Sequence, residues 1–177
     1  MHFSGTTDIS SHTYALSEDS ATGGGSQAYT IDGTAHANVL VVDGTGYFKG
    51  DKAALVSFFD FQPAIAGRYA SQWISLRPGD SAGGTNYQAV TAGVTLASLA
   101  EELSLTGTLT LTAPTVVAGR AVIGVHGTVP ADDGDPPGTT ATVYVATSGR
   151  PLPVSEQLTF SGGRATYTFS RWGEPCG

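Results

Sequence analysis

Over residues 27–50 the chain reads QAYTIDGTAHANVLVVDGTGYFKG, three short runs of β-forming residues joined by Asp32-Gly33 and Asp43-Gly44. An Asp-Gly pair between alternating apolar and polar residues favours a two-residue hairpin, because both central positions take positive φ and glycine tolerates it best. Two such pairs in succession commit this region to consecutive antiparallel strands. An antiparallel sheet can keep one wet face while the other covers something apolar, so the pattern bears on function as well as on fold.

Residues 2–10 also have strand character, and the Gly- and Ser-rich stretch 18–26, EDSATGGGS, reads as a flexible loop. In the third run, Ala35, Ala37, Val39 and Val41 alternate with His36, Asn38, Leu40 and Val42, which predicts a strand half-polar at its start and buried on both faces at its far end. From Asp51 the period changes. Asp51 suits an N-cap, Ala54, Leu55, Phe58 and Phe59 follow helical spacing, and Pro63 limits the helix. Residues 65–70 are read as a further turn, and 72–76 (QWISL) as a strand stopped by Arg77-Pro78-Gly79, followed by a Gly-rich loop. A second amphipathic helix is expected in TLASLAEELSL, with Leu96, Leu99, Ala100 and Leu103 on its apolar stripe and Glu101 and Glu102 toward solvent.

The C-terminal half returns to strands at 108–112, 120–129, 139–146, 154–160 and 164–169, separated by turn signals. The pattern predicts about nine strands and two helical inserts, an α+β chain that is mostly β. One face carries Ile123, Val125, Val129, Ala141, Val143, Val145, Leu158, Phe160, Ala165, Tyr167 and Phe169; Thr128, Thr142, Thr159, Thr166 and Thr168 lie opposite.

Composition narrows the function. A length of 177 residues fits a single domain, 1–177, with a respectable core. The chain is 40% hydrophobic but only 13% charged, so hydroxyls replace surface charges, as suits a secreted or envelope protein. The net charge of -7 repels phosphate backbones, and the six arginines are scattered, which argues against nucleic acid as a partner. The single cysteine, Cys176, allows no internal disulfide. No run approaches the roughly 20 apolar residues of a membrane-spanning helix. MHFSGTTDIS opens directly into a strand, so a signal peptide and an N-terminal anchor segment are expected to precede it in the full-length protein.

Catalytic and metal signals are weak. His2, His12, His36 and His126 never pair with a second ligand type at metal-binding spacing. The nucleophile elbow G-x-S-x-G is missing, and Glu101 and Glu102 are adjacent on a helix and so diverge. Asp132, Asp133 and Asp135 read as a solvated acidic turn, and Gly23 to Gly25 lacks the Lys and Ser/Thr of a phosphate loop. No cofactor, metal or catalytic residue is expected.

Three pieces, VDGTGYFKGD (42–51), YASQWISL (69–76) and the stretch 144–169 with its PLPV hairpin, followed by F-S-R-W-G, carry a family resemblance. In this order the chain resembles the LolA-like carriers, in particular the LppX and LprG group of envelope lipoproteins of high-GC Gram-positive bacteria. The resemblance implies a strongly curved antiparallel half-barrel, its concave face covered by short helices, with an apolar cavity that holds acyl chains. It further implies a monomeric, extracytoplasmic, lipid-anchored carrier whose partner is a lipid or acylated small molecule. The residues themselves supply an apolar sheet face and apolar helices, as a concave site requires. The candidate lining is Val39, Val41, Tyr47, Leu55, Phe58, Phe59, Trp73, Leu96, Leu99, Val125, Val143, Leu158 and Tyr167. The same side chains packed tightly together would instead be an ordinary core, and the chain a structural or protein-interaction module of the envelope. An envelope hydrolase ranks third.

Overall fold

The computed structural model describes residues 1–130 and 136–174, and all of their side chains except those of Ser98 and Glu102. The acidic turn at Asp132, Asp133 and Asp135 and the tail Cys176 lie outside the described residues. In chain order the elements are β1 (His2–Ile9), β2 (His12–Ala21), β3 (Gly24–Ile31), β4 (Ala35–Val42), β5 (Thr45–Gly50), α1 (Lys52–Phe59), α2 (Pro63–Tyr69), β6 (Ile74–Leu76), β7 (Ser81–Ala82), β8 (Thr85–Asn86), α3 (Tyr87–Thr91), α4 (Leu96–Glu102), β9 (Thr106–Leu111), β10 (Thr115–Val117), β11 (Arg120–Thr128), β12 (Thr140–Ala146), β13 (Pro153–Phe160) and β14 (Gly163–Ser170).

Twelve of these strands form one curved antiparallel sheet, ordered β10-β11-β12-β13-β14-β1-β2-β3-β4-β5-β6, with β9 also pairing β11; β7 and β8 make a separate small hairpin. The first and last strands pair in mid-sheet, from His2 opposite Ser170 to Ile9 opposite Gly163. Both sheet edges therefore come from the middle of the chain. The four described helices lie in the stretch between β5 and β9, α1 and α2 before the edge strand β6 and α3 and α4 after it, and they cover the concave face.

The turn chemistry acts as expected, with one refinement. Asp43 and Gly44 take φ of 48° and 72° in a two-residue loop closed by Val42 opposite Thr45. Asp32 and Gly33 take φ of 51° and 66°, but there Ile31 pairs with Ala35, so Thr34 is an extra loop residue whose N–H donates to the Ile31 carbonyl at 2.9 Å. Asp51 caps α1 by accepting from the Ala54 N–H at 2.8 Å, while its other oxygen accepts from the His36 N–H at 2.7 Å. Helix α1 stops at Asp60, in left-handed conformation with φ 52°, and Pro63 opens α2 instead of closing α1.

Four local expectations are corrected. Residues 18–26 are not a flexible loop: they finish β2 and begin β3. A Cβ on Gly24 would lie 2.2 Å from the Val41 carbonyl oxygen, and one on Gly25 would lie 2.4 Å from that of Val94. These glycines admit close backbone neighbours. The far end of β4 is buried on one face only, since Val41 is buried and Val42 exposed. The loop after Leu76 contains the β7–β8 hairpin and α3. The described strands number fourteen, more than the roughly nine expected, because β7, β8 and β10, of two or three residues, are too short to show a period, and the ten-residue β2 ends in the stretch read as a loop.

Strand β5 shows how the helices seat. Gly46, Phe48 and Gly50 share its concave side. A Cβ on Gly46 would meet Thr91 of α3 at 2.8 Å, and one on Gly50 would meet Ala54 of α1 at 3.0 Å, so the two glycines admit two helices and Phe48 fills the space between. Phe48 and Leu55 are fully buried, each worth about 1.5–3 kcal/mol of hydrophobic stabilisation.

Candidate functional site

One cross-strand row organises the concave face. It runs Phe169, Phe3, Glu18, Gln27, Val39, Phe48, Ile74, each opposite the next across β14, β1, β2, β3, β4, β5 and β6. Its ends are apolar and its middle is polar. Glu18 is only 1% exposed and accepts from the Ser20 hydroxyl and the Gln27 amide, while the Tyr29 hydroxyl donates to the Gln27 side-chain oxygen. The Gln27 amide also donates to the Ala92 carbonyl at 3.2 Å, which ties the polar line to the connection between α3 and α4. Buried polar groups must be bonded this way, since orphaning one costs about 1–3 kcal/mol. The line divides the face into two apolar fields.

The field under α1 and α3 is filled. Val39, Val41, Leu55 and Phe59 join Phe48, Phe61, Leu76, Val90 and Val94 in one buried cluster, with the Phe48 and Phe59 rings 4.3 Å apart. Phe58 closes its margin against Tyr29 at 5.3 Å and Tyr14 at 6.3 Å.

The field on the other side is different. Leu99 of helix α4 and Leu103 just beyond its end lie over Phe3 and Phe169. Trp172 lies against Phe169 at 6.3 Å and donates from Nε1 to the Pro153 carbonyl at 3.0 Å. The Tyr167 ring lies over Gly5, where a Cβ would come within 2.4 Å of its Cδ1, and its hydroxyl is 2.9 Å from the Thr7 hydroxyl. From Tyr167 one row continues through Glu156, Val143 and Val125, and the next runs Ala165, Leu158, Ala141, Gly127. Leu105 and Leu109 rim this floor at Gly127, where a Cβ would meet the Leu109 Cδ2 at 2.7 Å. Val143 and Ala141 are buried, whereas Ile123, Val125, Val145, Leu158, Phe160 and Tyr167 are half-buried.

Of the candidates named from sequence, Val125, Val143, Leu158 and Tyr167 thus share one half-open floor, with Leu99 at its border. Val39, Val41, Leu55, Phe58 and Phe59 belong to the filled field. Tyr47 stands opposite Leu40 and Ser75, on the sheet face away from Phe48, because successive residues of a strand alternate faces. Trp73 is 50% exposed, with the Lys49 ammonium 4.7 Å over its ring, and Leu96 is exposed. Sequence reasoning passed over Phe48, Glu18, Gln27 and Glu156. The last had a legible signal: in VSEQLTF, Val154, Glu156, Leu158 and Phe160 occupy alternate positions, so Glu156 belongs to the apolar face and is buried there. The histidines stay apart from this floor; His126 is exposed, with Nδ1 3.1 Å from the Thr142 hydroxyl.

This curved antiparallel sheet, with short helices over its concave face, matches a known fold. The solved structure of the Mycobacterium tuberculosis lipoprotein LppX is similar over 99% of this chain and 87% of its own, with a TM-score of 0.57 at 17% identity, which establishes the fold. LprF from Mycobacterium bovis aligns over the same shares at 13% identity and a TM-score of 0.47. No protein-family model and no curated relative matches the sequence.

Proposed function

We propose that residues 1–177 act as one non-enzymatic, extracytoplasmic binding unit that carries a lipid or an acylated small molecule on the concave floor of β11–β14 beside α4. The supporting observation is the contrast across the Glu18–Gln27 line: one field is filled by α1 and α3, while the other leaves apolar side chains half-buried. Covering them with an acyl chain gains about 0.8 kcal/mol per methylene, less the cost of ordering the ligand. In this reading the full-length protein is monomeric and held in the cell envelope by an N-terminal lipid anchor. Lipid found by native mass spectrometry on gently purified protein, with uptake of a fluorescent fatty acid that Leu158→Trp lowers at least about tenfold, is the expected result. A clean apo mass without uptake overturns it.

One observation favours a second reading, a protein-interaction module. Leu109, Leu111 and Val116 are exposed on β9 and β10 at the sheet edge, where unpaired backbone also invites strand addition. That reading predicts loss of partner binding, with no change in fatty-acid uptake, in Val116→Lys.

A further inference from the structure

A second concavity lies at the opposite end of the sheet, beside β6, and the ligand floor proposed above makes no use of it. The end of α1, helix α2, β6 and the β7–β8 hairpin surround a pocket of ≈ 650 Å³, within the range typical of small-molecule sites. Phe61, Ile65, Tyr69 and Ile74 form apolar walls, with the Phe61 and Tyr69 rings edge to face at 6.0 Å. The filled cluster around Phe48 and Phe59 occupies the face between this pocket and the polar line.

The pocket is built by close backbone approach. The Gly84 N–H donates to the Phe59 carbonyl at 3.4 Å, which docks the hairpin on the end of α1. A Cβ on Gly83 would come within 2.4 Å of the Phe61 ring, and one on Gly84 within 2.5 Å of the Asp60 Cβ. Asp60 is the one charged residue in the lining. Among the described residues, the Asp60 carboxylate, the Gln62 amide and the Tyr69 hydroxyl engage no protein group by hydrogen bond or ion pair. The site therefore offers one carboxylate, two neutral polar groups and an aromatic pair, and it lacks any basic side chain to neutralise the charge.

We infer that this pocket binds a small organic cation, an ammonium group on an apolar or aromatic body, with the charge at Asp60 and the body between Phe61, Ile65 and Tyr69. Carboxylate and ring faces both attract such a cation. The chain's net charge of -7 favours its approach. An anion would meet Asp60 without a counter-charge, and a neutral body would gain only area.

The test is an NMR titration of the full chain with benzyltrimethylammonium, benzyl alcohol and benzoate, reading backbone amide shifts. The cation is expected to move the amides of Asp60, Gly83 and Gly84 and to bind about tenfold more tightly than the alcohol. Asp60→Asn keeps the side-chain shape and tolerates the left-handed backbone, and should erase that preference. Ala82→Phe, which fills the pocket, should remove binding of both. Equal affinity for cation and alcohol, shifts confined to other residues, or a preference that survives in Asp60→Asn overturns the inference. Should Ala82→Phe fail to fold, Asp60→Asn alone decides. No lipid probe enters this titration, so its outcome is independent of the carrier reading.

Discussion

The two apolar fields of the concave face are built from the same kind of strand and end differently. Under α1 and α3, β4 and β5 present Val39, Val41 and Phe48 to helices that bury them with Leu55, Phe59 and Val90. Across the Glu18–Gln27 line, β11–β14 present Val125, Val143, Leu158 and Tyr167 in the same alternation, yet several stay half-buried. The difference lies in what comes to rest on the strands. Gly46 and Gly50 admit two helices onto β5, while the floor at Gly127 is met by Leu109 from an edge strand. An alternating strand thus defines an apolar face, and the covering element decides whether that face becomes core or binding surface.

Phe48→Ala should break the filled field most severely, lowering stability by about 3–5 kcal/mol in chemical denaturation. Gly25→Ala should follow at about 1–3 kcal/mol, because the new methyl presses on the Val94 and Asp19 carbonyls. Asp51→Ala should cost about 1 kcal/mol by uncapping α1. Leu158→Ala sharpens the contrast: at a half-open position it should cost less than about 1 kcal/mol while weakening fatty-acid uptake. A loss as large as that of Phe48→Ala would mean that both fields are core.

The smallest effect concerns pH, at the exposed β1–β4 turns. The hydrogen bond with the His12 side chain, and then the Thr13 N–H, hold the Asp32 carboxyl below the usual carboxylate range. A depressed folded-state pKa stabilises above the unfolded value, and that contribution is lost as pH falls through the folded value. The difference in Tm between the wild type and Asp32→Asn should therefore shrink as pH falls below the usual carboxylate range. A constant difference would show that Asp32 acts through the turn's shape alone.

Much of the architecture was legible because its causes are local. Asp43-Gly44 turns the chain by its own φ preference, Asp51 caps through an N–H three residues away, and the alternation in 120–169 names its faces without outside help. The candidate floor was legible in part: Val125, Val143, Leu158 and Tyr167 come together as their shared face requires. Residues 18–26 look like a loop in sequence because the reason for Gly24 and Gly25, the Val41 and Val94 carbonyls, lies far along the chain. Tyr47 and Phe48 exchanged faces because a one-residue choice of register inverts a strand, and only pairing with Val39 and Ile74 fixes it.

By itself, then, the sequence determined an antiparallel, mostly β chain with capped helical inserts and one oily sheet face, since dihedral preference, capping and alternation act over a few residues. Tertiary structure alone decided which part of that face is sealed and which stays open, and that a polar line from Glu18 to Gln27 divides them. Coverage depends on elements distant in sequence meeting across the sheet, and no local pattern encodes that meeting.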